Sequence, residues 1–112
     1  MGKKRKLFDL AQSLLVGGVD SPVRSFNYVA GEPLFVKSGR GATVFDYNNK
    51  AYIDYVLSWG VAMLGHAHPF VIDNIKQTLE SGLSFGTTNK LEVDLAGAIS
   101  RAIPFIEKIR FV

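Results

Sequence analysis

The chain has 112 residues, 47% hydrophobic and 21% charged, with a formal net charge of +3 and no cysteine. That suits one ordinary folded domain and excludes a disordered chain, a disulfide scaffold, thiolate metal sites and cysteine nucleophiles. Its longest apolar runs are too short to span a bilayer, so no membrane partner is expected.

The positive charge is local. Lys3, Lys4, Arg5 and Lys6 carry it, and the remainder has one more acid than base. Such a body offers no basic face to a nucleic-acid backbone. The basic run reads as the solvated start of a helix rather than a targeting signal, and no signal-peptide apolar run follows it. With the lack of cysteine, this suggests a cytoplasmic protein.

Residues 7–15 predict an amphipathic helix, because Leu7, Leu10, Ala11, Leu14 and Leu15 recur at helical spacing. Gly17-Gly18 ends it. Gly17 through Arg24 then forms a tightly specified turn. Pro22 fixes its own φ and biases Ser21 towards an extended conformation. Arg24 follows at a defined place, with a guanidinium fork that fits a carboxylate or phosphate. On local pattern alone, a surface turn with a solvated arginine competes with an anion clamp.

Three β-prone runs come next: 34–37, 42–45 and 51–56. Gly39-Arg40-Gly41 and residues 46–50 separate them as turns, which predicts an antiparallel meander. The Gly39-Arg40-Gly41 segment is not a dinucleotide fingerprint, since it lacks the third glycine and leads into a strand. Residues 57–68 form a loop rich in glycine and histidine. Pro69 starts a helix whose stripe is Val71, Ile72, Ile75 and Leu79, ending at Gly82. Asn89, with Glu92 three residues later, resembles a capping box for a second helix. Leu91, Leu95, Ile99 and Ala102 are its expected buried face. Pro104 breaks it, and residues 109–112 are expected to begin a strand. The order is that of an opening α/β domain.

His66 and His68 would share one face if extended and so could chelate a metal. No convincing further ligand is near, and the nearest acid, Asp73, lies in the following helix. Hydrogen bonding in the loop is the expected role, with His68 able to cap the next helix; no metal is expected. Trp59, the only tryptophan, follows a predicted strand end and is either a flat wall for a ligand or a core residue. Residues 84–88 precede a helix start and could hold an anion, though most such loops are merely N-caps. No nucleophile–base pair is dictated by spacing.

Five blocks, taken together, resemble one family. They are Gly17–Arg24, Tyr52–Gly60, Gly65–Pro69, Ser84–Gly86 and Arg110–Val112. In order and spacing they are similar to the N-terminal quarter of the glutamate-1-semialdehyde 2,1-aminomutases. That family is related to the class III aminotransferases and depends on pyridoxal 5'-phosphate. Thr87-Thr88 stands where many members have Ala-Pro. The resemblance implies an α/β fold in which residues 1–56 are an N-terminal helix plus three-stranded meander. Residues 57–112 would be the opening helices and first strand of a truncated fold-type I cofactor-binding large domain.

The resemblance also implies a homodimeric, cytoplasmic enzyme that converts glutamate 1-semialdehyde into 5-aminolevulinate for tetrapyrrole (porphyrin) synthesis. Arg24 would hold the substrate carboxylate, Ser21 and Val23 would shape the same pocket, and Trp59 would line it. The Schiff-base lysine, the pyridine-nitrogen acid and the phosphate cup lie beyond Val112 in that family. No catalytic or cofactor-binding residue is therefore expected within these 112, and the fragment is expected to be inactive. An ordinary class III aminotransferase and a stand-alone interaction module are the alternatives.

Overall fold

In the computed structural model, residues 3–112 are described, with side chains from Lys6 onward. The basic run therefore lies largely outside the described side chains. The chain folds as two compact units, one up to Asp73 and the other Asn74–Val112.

Helix α1 spans Lys3–Leu14, starting earlier than the leucine spacing alone suggested. Its apolar stripe brings Ala11 to 8% exposure, among the most buried apolar side chains described. The Phe8 ring packs tilted against Phe35, with centroids 6.4 Å apart. The helix ends at Leu14 with Leu15 extended, before the two glycines expected to end it; Gly17 and Gly18 follow in the next turn at φ +68° and +72°, values that glycine adopts without a Cβ penalty. Gly18 is also sterically required, because a Cβ there would stand 2.9 Å from Gln12 Cγ.

The sheet is the expected antiparallel meander, ordered β1 (Val36–Arg40), β2 (Thr43–Asp46) and β3 (Ala51–Ile53). Arg40 pairs with Thr43 across the first turn, and Thr43 pairs with Ile53 across the second ladder. A register shift between Val36 and Ser38 interrupts the first. Two expectations need correction. Gly39-Arg40 belongs to β1, and the reversal occurs at Gly41-Ala42, where Gly41 takes φ +56°. β3 ends at Ile53 rather than Val56, because the Asp54 side chain captures the amides of Val56 and Leu57.

Asp46 builds the second turn. It is 3% exposed, and its Oδ1 accepts the amides of Asn48 and Lys50 at 2.8 and 2.9 Å. Tyr52 Oη–H donates to its Oδ2 at 3.3 Å. These bonds hold Asn49 at φ +62°, which asparagine tolerates better than most residues.

Helix α2 spans Pro69–Leu79, and its first bond runs from the Ile72 amide to the His68 carbonyl at 3.0 Å. Helix α3 spans Lys90–Ala102. The Asn89 side chain caps it by accepting the Leu91 amide at 2.8 Å. Its expected buried face is not buried: Leu91 and Leu95 are 58% and 51% exposed. Ala102 is exposed as well, and Ile99 is half-buried. No layer packs on this stripe among the described residues. Residues 109–112 likewise form no strand, since a strand needs a neighbour to pair with its amides and carbonyls, and none among the described residues is paired with them.

Replacing Asp46 with alanine removes the acceptor for two turn amides at a buried site. The expected loss is about 1–3 kcal/mol, read as a lower denaturation midpoint.

Candidate functional site

Arg24 closes a one-turn 3-10 helix, Pro22–Arg24. Ser21 is extended at φ −137° and ψ 133°, as the following proline dictates. Its carbonyl accepts the Arg24 amide at 2.9 Å, and Pro22's carbonyl accepts the Ser25 amide at 3.1 Å and the Ser25 hydroxyl at 2.7 Å. The turn is thus fixed by backbone bonds, while the guanidinium stays half-exposed. Its nearest acid is Asp20, 4.0 Å away and 87% exposed, so the pairing is weak and readily exchanged for another anion.

Trp59 sits in a more constrained turn, Leu57–Gly60. Leu57, Ser58 and Trp59 all have positive φ, at +52°, +49° and +55°. Each left-handed residue costs about 1–2 kcal/mol, so three in succession require outside restraint.

Asp54 supplies that restraint. Its Oδ1 accepts the Val56 and Leu57 amides at 2.8 and 3.2 Å, and its backbone amide donates to the Ala42 carbonyl at 2.8 Å. Its Oδ2 accepts from His66 Nε2 at 2.6 Å, with the two side chains 13% and 25% exposed. The His66 hydrogen bond, followed by the Val56 amide, holds the Asp54 carboxyl below the usual carboxylate range, against the upward effect of burial.

His66 is fixed in turn. Its amide and carbonyl pair with the Gly41 carbonyl and amide at 2.8 and 2.9 Å. Its ring lies directly on Gly39, where any Cβ would stand 2.7 Å from Cγ.

These turns bring Arg24 and Trp59 together. The guanidinium carbon lies 5.9 Å from the Trp59 ring centroid, within cation–π range. Both line a cavity of about 690 Å³ that Asp20, Tyr47, Asp54 and His66 also reach. The indole is 67% exposed and presents a wide apolar surface. The cavity therefore offers a cation over a flat wall, suited to a small anion with a short carbon chain.

Ser21 and Val23 stand elsewhere. Val23 is 76% exposed and lines a separate hollow with Pro22, Phe26 and Tyr28, while Ser21 contributes its carbonyl to the Arg24 turn. Asp54 and His66 escaped sequence reasoning, which looked forward to Asp73 for a partner. The available signal was an aspartate at a strand end two residues before an amide it could cap.

His68 is not a side-chain cap. Its Nδ1 is buried without a partner among the described residues, and its backbone carbonyl begins α2 instead. No group of three metal-capable side chains forms among the described residues. The loop 84–88 borders a hollow of about 340 Å³, but the Asn89 side chain already takes one of the helix-start amides there. No helix among the described residues is long and apolar enough to cross a membrane.

Residues 27–112 match the aminotransferase class-III family, and the chain belongs to it. Over all 112 residues it is 52% identical to the glutamate-1-semialdehyde 2,1-aminomutase of Legionella pneumophila strain Paris, of which it covers 26%. It superposes on a solved transaminase with bound PLP at a TM-score of 0.87, with 31% identity over 98% of this chain and 25% of that one. An omega-transaminase from Sphaerobacter thermophilus gives 0.85, with 25% identity over 96% and 24%. The chain thus spans about a quarter of the length of the relatives it matches, and its fold is that of the N-terminal part of these enzymes.

The described residues that line this cavity do not by themselves fit pyridoxal phosphate. No lysine lines the cavity among the described residues, so it contains no amine to condense with the cofactor aldehyde. Among the described residues, Arg24 is its only basic side chain apart from His66.

The Asp54 geometry has a signed pH consequence. A carboxyl with a lowered folded-state pKa contributes stability above the unfolded pKa and loses it as pH falls through the folded one. Asp54→Asn should therefore be less stable than the parent at about pH 7. The difference should shrink on acidification to about pH 3, measured by chemical denaturation across that range.

Proposed function

We propose that this chain supplies the substrate-carboxylate side of the active site of a glutamate-1-semialdehyde 2,1-aminomutase. The observation that carries the reading is Arg24 over Trp59 at one cavity, in a sequence 52% identical to a protein of that name. On this reading residues 1–56 are the N-terminal part and residues 57–112 open the large domain. The exposed stripe of α3 and Phe105 at 86% exposure support a role as part of a larger body rather than as a stand-alone module.

In the mechanism, Arg24 gives up its weak contact with Asp20 and grips the carboxylate of glutamate 1-semialdehyde in a bidentate pair. Its backbone-locked turn fixes where that carboxylate sits. Trp59 forms a flat wall for the carbon chain and keeps water from one side of it. The carboxylate is a constant anchor while the amino group changes carbon, so a single grip serves substrate and product alike. Pyridoxal phosphate, the lysine that would bind it and the homodimer belong to the longer protein, which we place in the cytoplasm and in tetrapyrrole synthesis.

The second reading is an ordinary class III aminotransferase whose arginine holds another acid. Solved transaminases with TM-scores of 0.85 and 0.87 favour it. Assaying the full-length enzyme on glutamate 1-semialdehyde alone separates the two, since a mutase needs no second amino acceptor.

In that enzyme, Arg24→Ala should lower kcat/KM roughly ten- to a hundredfold while cofactor absorbance stays in place. Unchanged kinetics would refute the carboxylate role. Residues 1–112 alone should turn over no substrate and show no lysine-dependent cofactor absorbance on titration with pyridoxal phosphate.

A further inference from the structure

We propose that Asp54 and His66 are positioning residues that set the Arg24–Trp59 pair in register for the substrate. This rests on the carboxylate-binding reading above, and it assigns a role to two side chains that do not themselves grip the carboxylate.

An unbroken series of contacts joins the sheet to Trp59. The β1–β2 reversal fixes His66 through two backbone bonds to Gly41. Gly39 leaves the space the imidazole occupies. His66 Nε2–H donates to Asp54 Oδ2 at 2.6 Å, a direction set by the carboxylate, which can only accept. The other Asp54 oxygen holds the Val56 and Leu57 amides. Those amides open the left-handed run that ends at Trp59, whose ring faces the Arg24 guanidinium. Removing the His66–Asp54 bond frees Asp54 to rotate, and the left-handed run loses the acceptor that offsets its strain. Both side chains also reach the cavity wall, so the restraint acts at the site and not at a distance from it.

A merely structural role predicts lower stability with substrate affinity unchanged in the molecules that remain folded. A positioning role predicts a rise in KM that depends on Arg24. The test is a double-mutant cycle in the full-length enzyme with glutamate 1-semialdehyde as substrate, using His66→Ala, Arg24→Ala and the pair. His66→Gln serves as the conservative variant, because its side-chain amide can still donate to Asp54. Asp54→Asn, nearly isosteric, serves if His66→Ala does not fold.

His66→Ala, or Asp54→Asn in its place, should raise KM about tenfold with kcat changed less, and His66→Gln should recover most of that loss. In the Arg24→Ala background the same substitution should have little further effect. Additive effects in the cycle, or a KM within twofold of the parent, would overturn the proposal. If Arg24→Ala itself leaves KM unchanged, the carboxylate-binding reading fails. If Arg24→Ala raises KM but His66→Ala does not, only the positioning role fails.

Discussion

The 2.6 Å hydrogen bond between His66 and Asp54 is the interaction on which the geometry of the first unit turns. It ties the residue that follows β3, whose other oxygen holds the next turn, to the segment that pairs with Gly41. With it, a short strand pair of ordinary composition fixes a run of three left-handed residues that would otherwise relax. The pairing is compact because each group has its needs met. The carboxylate accepts two amides and one ring N–H, and the histidine backbone completes a bridge to Gly41. Burial still opposes the Asp54 charge, and these hydrogen bonds outweigh it.

The fold was legible where local chemistry decides structure. The leucine spacing of α1, the two glycines after it, the turn at Asp46 and the cap at Asn89 each follow from what one or two residues can do. Legibility failed where the deciding partner was distant in sequence. Gly39 read as a turn residue because glycine usually is one, yet it lies in a strand to make room for a ring 27 positions on. Asp54 read as a strand residue, yet twelve residues separate it from the histidine that gives it a role. The Arg24 turn was visible; its meeting with Trp59 across 35 residues was a matter of fold.

The second unit fails in another way. The periodicity of α3 correctly marks a helix with one apolar face, but periodicity says which residues seek cover and not what covers them. Leu91, Val93 and Leu95 stay open, and the apolar tail at 109–112 stays unpaired. The matched relatives are about four times as long as this chain.

The bare Cα of Gly39 has a further consequence. A half-buried position in a short strand ordinarily accepts many side chains, and valine or threonine there would improve strand propensity. Here the chain forgoes that gain, because even a methyl group would collide with an imidazole. Sequence variation at position 39 is therefore closed by a residue far along the chain. A survey of tolerated substitutions would register the His66 ring at a position that has no side chain at all.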